Sequence, residues 1–334
     1  MNFVLLEMTF LRYFAPLIIE GNRRGIKSKI YVGWRSFDKY NSPYKHEEYF
    51  RQFSEKYDVD LIDISKWSSN DGKITFFIEG VGLHNGPNIR KTNPDQLFVS
   101  ITSMADYEAL YSRYVNLCDY VCFPSRTFAD EFGLHNDKNL YLGSPKYDCL
   151  DDLTQQDYLG DSKIALVIYP SPLRVSSIDL ANVLTILKRN NFEIWMKARA
   201  KNPVRDSALH GDRYFVQEPW YPHYTLDLIN QCDLVVNVDS STIKESTMLE
   251  KPMLNFNTKN VKVSPTGRNR VYDYLFECDH CIDLDSKAKD QEIEDAIEIL
   301  LSSDYTDSYR QAKEKYLWTY NSSKRILDHF DIGV

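Results

Sequence analysis

The sequence lacks the long apolar run and the cysteine spacing that mark membrane proteins and secreted disulfide-rich proteins. The apolar stretch of residues 3–19 is interrupted by Glu7 and Arg12, whereas a membrane-spanning helix needs about 20 consecutive apolar residues. Basic residues follow this stretch, which is the reverse of the order in a signal peptide. The six cysteines show no disulfide-framework spacing in a chain of 334 residues. We therefore expect a reducing, cytoplasmic setting.

Several chemical signatures are missing as well. The chain has no Gly-x-Ser-x-Gly nucleophile elbow and no P-loop. Its net charge of −8 argues against a nucleic-acid partner, because proteins of that class are usually basic. The segment Cys278–Cys281 resembles half of a metal site, but no second pair of ligands stands at a workable spacing. We therefore expect structural cysteines and no bound metal.

What is present is the composition and the pattern of a two-domain α/β protein. A hydrophobic content of 43% and a charged content of 26% are those of an ordinary globular chain. Apolar runs of strand length alternate with helical patterns. Strands are predicted at Phe3–Phe10, Phe192–Lys197 and Cys281–Leu284 among others, and helices at Leu11–Asn22, at Met104–Val115 and near residues 242–250. Such alternation predicts βαβ units and parallel sheets.

The alternating pattern restarts near residue 162, after a polar stretch. We therefore expect an N-terminal domain at residues 1–150 and a C-terminal domain at residues 162–304, each with a doubly wound parallel sheet. Residues 305–334 are expected to be helical and could cross back to the N-terminal domain. Two such domains would face a cleft lined by the carboxyl ends of both sheets, where ligands bind in open α/β sheets.

The most informative segment lies at the expected edge of the second sheet. A strand at Leu234–Val238 is followed at once by Ser240-Ser241-Thr242 and by a helix. A helix N-terminus presents free N–H groups and a positive dipole, which suit a phosphate. Glu245, one helical turn further, would reach a ribose hydroxyl. The alternative is a capping box, in which Thr242 and Glu245 bond to backbone N–H groups without any ligand.

Cations follow two other strands of the same domain. Arg174 follows the first strand and could clamp a diphosphate through its planar guanidinium. Lys197 and Arg199 end the next strand and could add positive charge, although a solvated surface cation explains Arg199 equally well. Trp220 and His223 follow a further strand and could frame a nucleotide base, but ordinary packing also explains His223.

The first domain offers a candidate base on a glycine-rich loop. Three glycines surround His84 in residues 79–91, which allows a sharp turn and the close approach of a ligand. A histidine on such a loop can take a proton from an acceptor hydroxyl near neutral pH. The main rival base is Glu79, and the alternative for His84 is a side chain that is hydrogen-bonded within the loop.

Four segments together resemble the GT-B class of nucleotide-sugar glycosyltransferases, specifically the branch of CDP-glycerol glycerophosphotransferases and UDP-N-acetylglucosamine 2-epimerases. These segments are residues 83–91 (LHNGPNIRK), 119–125 (DYVCFPS), 142–148 (LGSPKYD) and 233–252. The resemblance implies a GT-B-like fold of two Rossmann-like doubly wound parallel-sheet domains facing a central cleft. It also implies that His84 is the base and that Ser240, Ser241, Thr242 and Glu245 hold the donor phosphates and ribose.

Two departures from that branch favour a sugar transferase. The glycerophosphotransferases and the epimerases carry a His-Pro pair after the second strand of the C-terminal domain, where this chain has Arg199–Pro203. The N-terminal Gly-Thr-Arg motif of the epimerases is also missing. We therefore expect a transferase, with a glycerophosphotransferase, an epimerase and a non-catalytic binding protein as the alternatives.

The expected reaction needs no cofactor and no metal. A nucleotide-activated sugar is the expected donor substrate, and the acceptor is the hydroxyl of a surface glycan, a polysaccharide or a lipid-linked glycan. A cytoplasmic location follows from the cysteine usage. Peripheral membrane association is a further option, since a basic cluster could meet anionic lipids, although a solvated turn is the simpler explanation. That cluster comprises Arg23, Arg24, Lys27 and Lys29.

Overall fold

The computed structural model describes most of both predicted domains. The described residues are 1–6, 10–33, 46–67, 73–78, 95–102, 115–131, 133–150, 153, 163–170, 176–198, 210–215, 221, 224–258, 273–317 and 321–333. The chain forms two compact units. One unit comprises Met1–Asp151 together with Lys315–Val334, and the other comprises Asp152–Glu314.

The first unit contains a seven-stranded sheet in the order β3-β2-β1-β4-β5-β6-β7, in which all neighbouring strands are parallel. Its strands are β1 (Asn2–Leu5), β2 (Ser28–Val32), β3 (Val59–Asp63), β4 (Ile74–Ile78), β5 (Leu97–Ile101), β6 (Tyr120–Phe123) and β7 (Asn139–Tyr141). The helices between them are α1 (Leu11–Arg23), α2 (His46–Tyr57) and α3 (Arg126–Glu131), with 3₁₀ turns at Ile64–Lys66 and Pro145–Tyr147.

The second unit repeats this plan with six parallel strands in the order β10-β9-β8-β11-β12-β13. They are β8 (Lys163–Ile168), β9 (Phe192–Lys197), β10 (Arg213–Phe215), β11 (Leu234–Asn237), β12 (Met253–Asn257) and β13 (Cys281–Asp285). Its helices are α4 (Leu180–Arg189), α5 (Tyr224–Gln231), α6 (Ile243–Met248), α7 (Asp290–Ser302) and α8 (Thr306–Ala312), with a 3₁₀ turn at Asp273–Glu277.

The central strands of both sheets are nearly continuous apolar runs, as expected for parallel strands that are covered on both faces, whereas the edge strands β3, β10 and β13 are more polar. All five residues of β4 are buried, and so are all four of β11. In the second unit Val167 and Val236 of the sheet share one core with Leu187 of α4 and Ile297 of α7. The helices thereby fix the sheet, whose strand ends carry the candidate site.

The end of the chain returns to the first unit. After a turn of π-helix at Lys313–Leu317, α9 (Ser322–His329) packs against α1. The guanidinium of Arg24 pairs with Asp328 at 2.8 Å and donates to the carbonyl of Ile332 at 3.1 Å. These contacts tie residues near the two ends of the sequence into one core.

Residues 142–148, one of the segments that carried the resemblance, form the seat of α9. The Asp148 carboxylate accepts hydrogen bonds from the backbone N–H of Ser322 at 3.0 Å and of Ser323 at 2.6 Å. Gly143 has a φ of 92°, and a Cβ at this position would overlap the Ser322 hydroxyl. A glycine is therefore required for the close approach of α9.

One predicted element is shorter in the structure, and another lies almost wholly outside the described residues. The first strand was expected to span Phe3–Phe10, but β1 ends at Leu5. Phe10 already has helical backbone angles, with φ −82° and ψ −17°, and directly precedes α1. A second predicted helix, at Met104–Val115, lies almost wholly outside the described residues. Within the described segments, none of the helices combines the length and the apolar character that crossing a bilayer requires.

Candidate functional site

The strand order places a ligand crevice at a definite point of each sheet. In the second unit β8 lies between β9 and β11, so the connections that leave β8 and β11 run to opposite sides. In the first unit β1 and β4 have the same relation. Such switch points open a crevice at the carboxyl ends of the strands. The turn after β11 is therefore the described segment best placed to hold a ligand.

Most of the sequence-predicted site residues lie on segments outside the described residues. His84 and Glu79 follow β4, and Arg174 follows β8. The same holds for Arg199, Trp220 and His223. Their roles stay predictions. Lys197, Ser240, Ser241, Thr242 and Glu245 are described, and they share the carboxyl edge of the second sheet.

The turn after β11 depends on Asp239. This residue has a φ of 45°, in the left-handed region, which Asp tolerates better than most residues because of its short polar side chain. It reverses the chain between the buried strand and Ser240. Asp239 is only 4% exposed, and both Ser240 and Thr242 are also buried. The turn is thus part of the packed unit.

Two asparagines support the turn from beneath. The Asn255 side-chain oxygen accepts from the Asn237 amide at 2.8 Å and from the Asp239 backbone N–H at 3.0 Å. The Asn237 amide also donates to the Ser240 carbonyl at 3.1 Å. Both asparagines are fully buried on neighbouring strands. These bonds pair the buried Asn237 amide and the Asp239 backbone N–H, which favours one geometry of the turn.

The network extends to the next strand through a second carboxylate. The Asn255 side-chain amide donates to Asp283 at 2.7 Å, and the Asn257 amide donates to it at 3.2 Å. Burial raises the pKa of Asp283, the nearby charge of Asp239 raises it further, and the two amide donors oppose this rise. The side-chain NH₂ of Asn255 therefore lies between the carboxylates of Asp239 and Asp283 and donates to both.

Thr242 does not act as a helix cap. Its backbone is helical, with φ −62° and ψ −16°, and its side chain makes no capping hydrogen bond. Its hydroxyl instead lies 3.1 Å from the Ser240 hydroxyl. The capping-box alternative is therefore wrong at Thr242. Among the described residues, no acceptor is found for the backbone N–H of Ser240, Ser241 or Thr242.

The helix that follows the turn is shorter than predicted but firmly held. The pattern indicated residues 242–250, whereas α6 ends at Met248 and Glu250 has a left-handed φ of 55°. All six residues of α6 are buried, including Lys244 and Glu245. So short a helix has a small dipole, and the amides of the turn itself are the more important feature for an anion.

His280 anchors α6 from the far side. Its Nε2 lies 2.9 Å from the Thr247 hydroxyl and its Nδ1 lies 2.9 Å from the Ser308 hydroxyl. Burial, with a smaller contribution from the charge of Lys313, lowers its pKa to about 4. With both nitrogens bonded to hydroxyls, the ring has a packing role. The described part of the chain holds no group of three metal-ligating side chains.

Lys197 is a buried cation at the same edge. It is the last residue of β9, opposite Ile168 of β8, and is only 6% exposed. Its ammonium lies 3.5 Å from the Ala198 carbonyl. The alternative of a solvated surface cation does not fit this burial.

Sequence reasoning missed the residues that build the turn, namely Asn237, Asp239 and Asn255. A signal was present, because Asn237 ends an apolar strand and Asn255 stands between apolar residues of the next one. Polar residues at such positions indicate a buried network. Their partners, however, stand on neighbouring strands, and sequence spacing alone does not give that pairing.

Known proteins resemble this chain in structure and not in sequence. No protein-family model and no curated protein matches the sequence. Solved structures match over nearly the whole chain. UDP-GlcNAc 2-epimerase from Neisseria meningitidis, solved bound to UDP-GlcNAc, has a TM-score of 0.63 at 15% identity and covers 98% of each chain.

Two further solved structures of the same fold belong to proteins that are named for other activities. The wall teichoic acid polymerase TagF, soaked with CDPG, has a TM-score of 0.63 at 13% identity, covering 99% of this chain and 88% of that chain. The spinosyn forosaminyltransferase SpnP has a TM-score of 0.61 at 11% identity, covering 99% of this chain and 97% of that chain.

These likenesses define the class of fold. The chain has the GT-B architecture of two doubly wound parallel-sheet domains, so the predicted fold class is confirmed. The resemblance to the branch that contains epimerases and the teichoic-acid enzymes is confirmed at the level of structure. With identities of 11–15%, the likeness establishes the fold and leaves the activity to be argued from the site.

Proposed function

We propose that the protein is a glycosyltransferase that moves a sugar from a nucleotide diphosphate donor to an acceptor hydroxyl. The observation that carries this proposal is the turn at Ser240–Thr242. It lies at the switch point of the second sheet, it is held rigid by a buried amide network, and its N–H groups have no acceptor among the described residues. Backbone amides gathered in this way favour a phosphate.

The compared structures support a nucleotide ligand. The Neisseria epimerase was solved with UDP-GlcNAc and TagF was soaked with CDPG, and both share the fold over nearly the whole chain. In the proposed complex the turn holds the donor diphosphate and Glu245 accepts a bond from the ribose. Lys197, with Arg174 and Arg199, adds positive charge, and Trp220 with His223 frames the base.

Stabilisation of the leaving group is the main catalytic contribution that we propose for this domain. Negative charge builds on the diphosphate as its bond to the sugar breaks. Amides and cations that are already oriented lower the energy of that state without reorganising. These protein groups suffice for the proposed chemistry, so the proposed reaction is independent of a metal.

His84 is the proposed base on the first domain, with Glu79 as its rival. The acceptor hydroxyl gives its proton to His84 while its oxygen forms a bond to the anomeric carbon. The bond between that carbon and the diphosphate oxygen breaks, and the nucleoside diphosphate leaves with the electron pair. The proposed acceptor is a glycan or a lipid-linked glycan, met in the cytoplasm or at the surface of a membrane.

An epimerase is the second candidate, because the Neisseria enzyme matches 98% of each chain. The two functions differ in their need for an acceptor. An epimerase interconverts a nucleotide sugar alone, whereas a transferase releases the nucleoside diphosphate only when an acceptor is present. Against the epimerase stands the segment Arg199–Pro203, where that branch carries a His-Pro pair.

The first test is a thermal-shift screen with UDP, CDP, GDP, TDP and CMP and with their sugar conjugates. We expect a rise in melting temperature with one nucleotide class, because a ligand that binds only the folded state stabilises it. Transfer is then measured with that donor. His84→Ala should abolish transfer and leave donor affinity nearly intact, and Glu79→Gln is the matched variant for the rival base. Unchanged turnover in His84→Ala removes His84 from the mechanism.

A further inference from the structure

Asp239 does two separate things at the turn. Its backbone adopts a left-handed φ of 45°, which glycine or asparagine would also allow. Its carboxylate reaches across the sheet edge, where Oδ2 accepts from the backbone N–H of Thr258 at 3.0 Å and from the Thr258 hydroxyl at 2.7 Å. The backbone conformation alone therefore does not explain why an aspartate is present.

The second carboxylate oxygen explains the choice of acid over amide. Asp239 Oδ1 lies 3.5 Å from the side-chain NH₂ of Asn255. An asparagine at position 239 could keep both Thr258 donors on its single oxygen, but its own NH₂ would then face the Asn255 NH₂. Glycine would keep the backbone angle and lose all three contacts. Only a carboxylate has two acceptor oxygens, so that one accepts from Thr258 and the other from the Asn255 amide.

These contacts fix the residue that immediately precedes the free amides. The Asp239 backbone is held from two directions, because its N–H donates to Asn255 and its side chain is tied to Thr258. The next three peptide units carry the N–H groups that find no acceptor in the described chain. A rotation about the Asp239 backbone would therefore change the direction of those three N–H groups.

We propose that Asp239 is a positioning residue, which through its bond to Thr258 aims the amides of Ser240–Thr242 at the phosphates of the donor. This inference rests on the proposed nucleotide function and adds to it a residue that touches no ligand. On this inference the Asp239 carboxylate strengthens the binding of the donor phosphates, although it bonds to Thr258 and not to the phosphates. The nucleoside part of the affinity is left to other groups.

The test compares a nucleoside diphosphate with its nucleoside. Dissociation constants for UDP and uridine, or for the matching pair that stabilises the unaltered protein, are measured by calorimetry and by competition. Asp239→Gly keeps the backbone angle and should weaken diphosphate binding roughly tenfold or more, about the value of one charge-assisted hydrogen bond. Nucleoside binding should not change. Asp239→Asn should recover part of the loss.

The other end of the contact provides an independent variant. Thr258→Val removes one donor to the same oxygen and preserves the shape of the side chain. It should weaken diphosphate binding in the same direction, by roughly threefold to tenfold. Combined with Asp239→Gly it should add little, because both changes break one contact. Should Asp239→Gly fail to fold, Thr258→Val alone decides the question.

A control and the opposing outcomes complete the design. Asp212 also accepts a backbone bond, from Ile194 at 2.7 Å, but it precedes β10. Asp212→Asn should leave diphosphate affinity unchanged. A folded Asp239→Gly that binds UDP normally, or that loses UDP and uridine equally, overturns the positioning role and leaves the proposed function standing. An unaltered protein that binds no nucleotide overturns both.

Discussion

Two helices of this protein begin in different ways. At α9 the backbone N–H groups of Ser322 and Ser323 donate to the carboxylate of Asp148, so the protein supplies its own anion. Before α6 the N–H groups of Ser240–Thr242 find no such acceptor in the described segments. An aspartate stands at each place, half-buried at 148 and buried at 239, yet only Asp148 turns its carboxylate towards the N–H groups of the helix that follows.

The orientation of the acid separates a structural contact from a candidate binding site. Asp239 points its carboxylate away from the turn, towards Thr258. Asp148 is half-buried, and desolvation raises its pKa although the bonds from Ser322 and Ser323 oppose that effect. A buried carboxylate costs free energy unless it is well bonded. At α9 the carboxylate is bonded by the first N–H groups of the helix, whereas the N–H groups of Ser240–Thr242 find no acceptor in the part of the chain that the structure describes.

The sharpest way to break this comparison is to give the turn its own acid. Ser241→Asp would place a carboxylate beside the free amides, as Asp148 does at α9. We expect diphosphate binding to weaken a hundredfold or more, about 3 kcal/mol, because the anion site would be filled and negatively charged. Calorimetry with the stabilising nucleotide measures this.

The folded state should respond to Ser241→Asp in the opposite direction. An acid near a helix N-terminus stabilises by about 0.5 kcal/mol, so thermal unfolding should move slightly upward. Ser241→Asn is the neutral control of similar size and should bind nearly as the unaltered protein does. Normal affinity in a folded Ser241→Asp would place the phosphates somewhere other than this turn.

Removing the acid that accepts from α9 should lower stability and spare nucleotide binding, the opposite of the effects of Ser241→Asp. Asp148→Ala leaves two amides of α9 without their acceptor and removes the charge opposite Arg325. We expect the free energy of unfolding to fall by about 2–3 kcal/mol. Nucleotide affinity should be unchanged at temperatures where the variant is folded.

Chemical denaturation and calorimetry on the same sample measure both effects of Asp148→Ala. Asp148→Asn retains one acceptor oxygen and should lose about half as much stability. A large loss of nucleotide affinity in a folded Asp148→Ala would contradict the separation of the two regions, because it would show that the seat of α9 also shapes the ligand site.

The fold could be predicted from sequence because its central strands are nearly continuous apolar runs. Ile74–Ile78 is buried throughout, and the strand Phe192–Lys197 has the bounds that its pattern predicted. Strand ends were less certain where apolar residues continue into the next element. Phe10 was placed in a strand for that reason, although it directly precedes α1 and has helical backbone angles.

The site was only partly predictable, for a physical reason. Polar residues directly after an apolar run indicated the turn at Ser240–Thr242, and that signal is local. The amide network joins Asn237 to Asn255 across 18 positions, through the register of two neighbouring strands. Such a contact depends on sheet order, which a single sequence does not specify. The length of α6 was overestimated because the left-handed Glu250 carries no sequence signature.

The effect expected at His280, which bonds to Thr247 of α6, is smaller than the loss of diphosphate affinity in Ser241→Asp. The pKa of His280 is lowered to about 4 from the ordinary value of 6.5, chiefly by burial. The folded state therefore prefers the neutral ring and the unfolded state binds the proton first. Its contribution to stability is complete above pH 6.5 and is lost as the pH falls towards 4.

Between pH 7 and pH 5 this group should cost the fold about 2 kcal/mol, since each pKa unit corresponds to about 1.4 kcal/mol. His280→Gln can bond to one of the two hydroxyls and does not titrate. It should be less stable at pH 7 and should show a flatter dependence of unfolding free energy on pH. Asp148 has a raised pKa and works in the other direction, so the difference between variant and parent isolates His280. Parallel curves for the two proteins would mean that the ring is already accessible to protons, and the packing below the turn would then be looser than the contacts with Thr247 and Ser308 imply.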